Sequence, residues 1–186
     1  MIIAEQKKKE NIVEYLLYMW QIEDIIRSLN FDKSLIKENI VDSFEVDEAT
    51  RIKIQKWYEG LVEQMRSEEI QEQGHLSFIH DLIAELEFLH QTLLTTIQDK
   101  KYIGVYDDAK QHITFLMAKA EHKKQNDIHT CLVALYGVLM LRLKKKQVSE
   151  NTEEAIKSIS KLMAMLSLKY KELYSGKLDF SSESKN

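Results

Sequence analysis

An all-α fold, a single compact bundle of six to seven helices, follows from three observations on the chain. None of its 186 residues is proline, only five are glycine, and apolar residues recur three and four positions apart through almost its whole length. Proline breaks a helix because it lacks the backbone N–H and clashes with the preceding turn. Apolar residues at the three-and-four spacing share one face of a helix, which buries against a neighbour. The bundle is expected over residues 1–175, with a polar, disordered tail at 176–186.

The first helix is predicted over residues 5–29. Ile12, Leu16 and Met19 take one side, Val13 and Leu17 flank them, and Ile22, Ile25 and Leu29 lie opposite. A helix apolar all round is a buried one. A short helix over 33–44 follows, with Asp32 placed to accept hydrogen bonds from its first turn. Asp47 caps a third helix over 48–73, whose stripe is Ile54, Trp57 or Tyr58, Leu61, Val62 and Met65, and Gly74 is its stop. A fourth, over 77–98, turns Ile79, Ile83, Leu86, Leu93 and Ile97 inward, and residues 99–105, with Gly104 and no clean period, read as a loop.

A fifth helix is predicted over 106–124, with Ala109, Ile113, Leu116, Met117 and Ala120 inward. Asn126 and Asp127 open a sixth, ending near Lys146. Its broad apolar surface (Leu132, Val133, Leu135, Tyr136, Val138, Leu139, Leu143) marks a second central helix. Asn151 and Glu154 form a capping-box pattern before a seventh helix over 152–174, ended by Gly176. Ile156, Ile159, Leu162, Met163, Leu166, Tyr170 and Leu173 form its stripe.

Composition narrows the function classes. The formal net charge of −4 lacks the strong basic bias of a dedicated nucleic-acid binder. Cys131 is the one cysteine, which excludes an internal disulfide and a multi-thiolate metal site. The longest apolar run, 131–141, falls short of the ~20 residues a membrane span requires. The N-terminus does not read as a secretory leader. A cytoplasmic protein that engages neither nucleic acid nor membrane is expected.

Two stretches carry a resemblance. Residues 10–27 read Glu-Asn-Ile-Val-Glu-Tyr-Leu-Leu-Tyr-Met-Trp-Gln-Ile-Glu-Asp-Ile-Ile-Arg. Residues 135–143 read Leu-Tyr-Gly-Val-Leu-Met-Leu-Arg-Leu, with Thr-Glu-Glu-Ala following at 152–155. Together they resemble an uncharacterised bacterial all-helical family of about this length, a domain of unknown function. The resemblance implies a helical fold and no activity, cofactor or catalytic residue.

The candidate ligand-binding residues are Trp20, Glu23, Arg27 and His90. Glu23 and Arg27 stand four apart on the side of the first helix that carries Ile12, Leu16 and Trp20. Glutamate before arginine is the favourable order for such a pair. Buried charges must be paired or must meet a ligand, so this pair is either an internal ion pair, extended by Asp24, Arg142 or a tyrosine, or the polar floor of an interhelical pocket. The ion pair ranks first. His90 falls within the apolar face of the fourth helix, where a core histidine with one hydrogen bond ranks ahead of a base or ligand.

Glu87 and His90 share the Glu-x-x-His spacing of di-iron bundles, but that centre needs a second such motif and two more inward glutamates. Asp108 and His112 read as a solvated pair, and His75, His80, His122 and His129 form no compact spacing with acidic partners. The glycines never cluster into a phosphate loop. No catalytic residue, metal or cofactor is expected. Phe88 and Phe115 point away from their helices' main stripes. Burial by a neighbouring helix ranks ahead of an exposed partner surface. Lys7–Lys9 and Lys144–Lys146 read as solvated helix ends.

The leading functional expectation is a non-catalytic interaction or regulatory domain, with a protein partner or a second copy of the chain. A small-ligand sensing domain with an interhelical pocket comes second, and a metal-dependent bundle enzyme a distant third.

Overall fold

The computed structural model describes residues 2–119 and 126–178. The described residues are all-α, without strands: α1 (Ile2–Glu10), α2 (Ile12–Ser28), α3 (Lys33–Asn39), a 3₁₀ turn (Val41–Ser43), α4 (Glu48–Ser67), α5 (Ser77–Thr95), α6 (Lys100–Lys119), α7 (Asp127–Leu143) and α8 (Glu150–Tyr174). There are eight helices rather than six to seven, because the predicted first helix is two. Asn11 divides it. Its Oδ1 accepts the Val13 N–H at 3.1 Å and the Ser167 hydroxyl at 2.8 Å. The Ser167 Oγ in turn accepts the Ile12 N–H at 3.1 Å. These oxygens satisfy N–H groups that a new helix leaves open, so α2 starts afresh.

Side-chain caps place most of the other ends. Asp32 accepts from Ser34 and Leu35, and Asp47 from Thr50, as predicted. α3 closes earlier than expected, at Asn39, and residues 41–43 tighten into the 3₁₀ turn. α4 stops at Ser67 rather than 73. Its last buried side chain is Met65, and the polar residues 66–69 offer no stripe to continue. Glu69 takes φ 57° there, and the Ile70 N–H returns to the Met65 carbonyl at 3.0 Å.

The predicted loop at 99–105 is helical. Asp99 Oδ1 accepts the N–H groups of Lys101 and Tyr102, each at 3.0 Å, and α6 begins on them. Gly104 costs a helix only about 1 kcal/mol relative to alanine, which the buried Tyr102 and Val105 outweigh. Asn126 opens α7 as predicted, accepting the His129 N–H at 2.7 Å. Ser149, not Asn151, caps α8. Gly176, at φ +67°, follows its end, and Leu178 is buried. Ala120, His122 and Lys124, and the tail from 179 to 186, lie outside the described residues.

The chain divides into two compact units. One takes the described residues up to Lys8 together with Glu14–Asp81; the other takes Lys9–Val13 and the described residues from Leu82 onward. In the first, α3, the 3₁₀ turn and α4 pack together, burying Ile36, Val41, Tyr58 and Val62. In the second, α6, α7 and α8 pack on one another around Ala109, Ile113, Cys131, Ile159 and Leu162. Burying a leucine or isoleucine fully contributes roughly 1.5–3 kcal/mol, so these residues dominate each unit's stability.

α2 is buried as expected for a central helix, with Leu16, Met19, Trp20 and Ile26 at 2% exposure or less. α7 departs from the expectation. Ile128, Cys131 and Leu132 in its first turns are enclosed, but Val133 and Leu143 are exposed and Leu135, Tyr136 and Leu139 only half-buried. Phe88 and Phe115 are also exposed, at 75% and 57%, where burial is the leading expectation.

Asp99 carries a testable consequence. Burial works against its ionised form, but hydrogen bonds from Lys169, Tyr102 and Lys101 outweigh this and hold its carboxyl below the ordinary range. Lys169 Nζ stands 2.9 Å away. A carboxyl held low by the fold contributes stability above its unfolded pKa and loses it as pH falls toward the folded value. D99A should therefore lower the unfolding free energy at neutral pH by about 1–2 kcal/mol, with the deficit narrowing below about pH 4. Urea denaturation at the two pH values measures this; a deficit equal at both would assign the loss to something other than the charge.

Candidate functional site

Trp20, Glu23 and Arg27 lie one turn apart along α2, and all three meet the segment between α4 and α5. Glu23 is completely buried. Its Oε2 is 2.5 Å from His75 Nδ1, and its Oε1 accepts the Leu76 N–H at 2.9 Å. The Trp20 ring stacks on the His75 imidazole, with centroids 4.4 Å apart and planes within 9°. Glu23 and Arg27 therefore do not close on each other. Arg27 donates to the Ile70 carbonyl through Nε and Nη2, at 3.4 and 3.3 Å, to the Gly74 carbonyl, and through Nη1 to Asp24 at 3.1 Å.

The physical reason lies in the segment's free carbonyls and N–H groups. Residues 68–76 belong to no helix, so their backbone groups need partners. Arg27 supplies donors to two carbonyls, and Glu23 supplies an acceptor where α5 begins. A carboxylate is also favoured there by the positive end of the helix dipole. Gly74 does not stop α4. It takes φ +92°, a left-handed conformation, within this segment.

His90 lies in the other unit, with its own partners. It is completely buried; its Nδ1 is 2.7 Å from the Tyr102 hydroxyl and its Nε2 is 3.7 Å from Asp127 Oδ2. Tyr106 donates to the same Asp127 oxygen at 2.6 Å. The nearby His90 and the Tyr106 hydroxyl hold the Asp127 carboxyl below its ordinary range, against the pull of burial. Glu87 accepts the Ile128 N–H at 3.3 Å and the Gln91 amide at 2.9 Å, so it serves the start of α7. Among the described residues no three His, Cys, Asp or Glu side chains are grouped to hold a metal ion. Burial pushes the Cys131 thiol well above its ordinary pKa, which keeps it from the reactive thiolate form.

The second unit also carries a groove of about 750 Å³ formed by α6, α7 and the start of α8. Phe115 and Leu116 form one wall, Val133, Gly137 and Leu141 the second, and Ala155 and Ile156 the third. Gly137 leaves open space where a Cβ would stand. Of the apolar surface that the sequence assigns to a central α7, Val133 and Val138 line this groove, while Leu132, Leu135, Tyr136, Leu139 and Leu143 lie off it.

His75 and the groove are the features that sequence reasoning missed. His75 is 52 residues from Glu23, and no periodicity links a loop histidine to a helix that far away. The groove had a signal in Phe115, which points off the main stripe of its helix.

Among known proteins, the family described as a domain of unknown function (DUF4924) matches residues 1–177. No curated protein matches the chain, and no solved structure does.

Removing the Glu23 carboxylate leaves the Leu76 N–H and the His75 Nδ1 without their acceptor. E23A should cost about 3 kcal/mol of stability, since each buried group left unsatisfied costs roughly 1–3 kcal/mol. It should also speed amide exchange at Leu76. Denaturation and hydrogen exchange measure the two effects, and a loss below about 0.5 kcal/mol, the range of an ordinary surface substitution, would refute this structural role.

Proposed function

This chain belongs to the DUF4924 family, and we propose that it is a non-catalytic interaction domain that pairs with a second copy of itself through the α6–α7–α8 groove. The observation that carries the reading is the exposure of large apolar side chains that line that groove: Val133 at 44% and Phe115 at 57%. Contiguous apolar surface of this kind marks interaction sites. Covering it recovers roughly 25 cal/mol for each Å² removed from water.

Charge favours a second copy as the occupant. The same unit exposes both signs, in the Arg142–Glu153 pair at 3.4 Å and the Lys161–Asp108 pair at 3.5 Å. A two-fold dimer sets one patch against itself. A unit whose surface carried one sign would repel its copy, whereas one carrying both signs can meet opposite charge across the axis. The groove volume also falls within the roughly 300–1,000 Å³ of small-molecule pockets, which supports an apolar small ligand as the second reading. At Trp20, Glu23 and Arg27, by contrast, the chain's own segment already occupies the carboxylate and the guanidinium.

Sedimentation equilibrium tests the dimer. The expected species is close to twice 21.9 kDa, and V133E should return it to the monomer with unchanged helicity. A wild-type chain that stays monomeric at concentrations approaching 1 mM, the weak limit of specific association at about −4 kcal/mol, would overturn the reading.

A further inference from the structure

We infer that His75 and His80 form a two-histidine site for a late first-row divalent cation such as zinc, with Glu23 as the buried carboxylate that orients His75. The site lies in the first unit and is independent of the groove. Its starting point is the contact between Glu23 and His75. A metal-binding histidine commonly donates its second ring N–H to a carboxylate, which fixes the tautomer and makes the other nitrogen a better ligand. Here Nδ1 faces a fully buried carboxylate at 2.5 Å, while the imidazole keeps 24% of its surface in solvent. That leaves Nε2 as the ligand atom. Trp20 stacks on the ring and holds its plane.

His80 supplies the second ligand. It is exposed on the first turn of α5, and its ring centroid is 6.1 Å from that of His75, with the planes tilted by 60°. Zinc–nitrogen bonds of about 2.0–2.1 Å at a tetrahedral angle put two imidazole centroids on one ion roughly 5–5.5 Å apart. The observed separation is longer by under about 1 Å, which a rotation of the exposed His80 side chain closes. Imidazole nitrogen suits zinc, copper and nickel over magnesium or calcium.

Two nearby positive charges oppose a cation, and both are countered. The N-terminus of α5 carries the positive end of its dipole, but Glu23 accepts the Leu76 N–H at 2.9 Å and Glu68 accepts the Ser77 N–H at 2.6 Å. Arg27 pairs with Asp24. With two protein ligands, the remaining coordination positions belong to water. The bound ion would join the segment before α5 to the helix itself, reinforcing the hold that Glu23 and Arg27 already have on it.

The test is a zinc titration of the full chain, without any affinity tag, followed by calorimetry and by the ring resonances of the histidines. One zinc per chain should bind, shifting the His75 and His80 signals. H80Q should weaken it at least tenfold, and E23Q about 10- to 100-fold, the usual effect of losing an orienting carboxylate. H112Q, in the other unit, should leave it unchanged. His80 is exposed, so H80Q keeps the fold and decides the matter even where E23Q unfolds. No saturable binding by the wild type, or undiminished affinity in H80Q, would overturn the site.

Discussion

The buried carboxylate of Glu23 is the interaction around which the first unit is organised. A carboxyl group with no exposure to water is tolerable only if its hydrogen bonds are made. Glu23 meets that condition by reaching the start of another helix: it takes the Leu76 N–H and the His75 imidazole together. Where α5 begins, how the segment before it runs, and which way His75 faces all follow from this one placement. Arg27, a turn further along α2, fixes the same segment through its carbonyls.

The same logic runs through the rest of the chain. A sequence without proline must set its helix boundaries by other means. Asn11, Asp32, Asp47, Asp99, Asn126 and Ser149 each offer a side-chain oxygen to N–H groups of the turn that follows. Where the cap was a familiar local pattern, as at Asp32, Asp47 and Asn126, the boundary could be read directly. Asn11 and Asp99 were missed for different reasons. Asn11 stands in an otherwise unbroken helical period, and its cap is completed by Ser167, 156 residues away. Asp99 was overshadowed by Gly104, whose small helical penalty the buried Tyr102 and Val105 override.

α7 shows the limit of apolar pattern as a guide to burial. Its composition is that of a central helix, and its first turns are enclosed. Beyond Leu132 the same kind of side chain lines an open groove. Periodicity reports that a face avoids water; it does not report whether the cover comes from this chain or from something else. Phe88 and Phe115 make the same point, since their exposure depends on neighbours that no local spacing specifies.

What the sequence determined alone was the helical class, the approximate positions of most helices, the inward stripes of α4 and α5 and the need of a buried Glu23 for a partner. These are local properties, set by backbone freedom, 3.6-residue periodicity and the cost of stranding a charge. Tertiary structure decided that the partner is His75 rather than Arg27, that the His75 and His80 rings lie 6.1 Å apart, and that Val133, Gly137 and Leu141 of α7 open onto a groove. Each depends on contacts between segments distant in the chain or on which faces the packing leaves uncovered, and neither is encoded in the spacing of residues along one helix.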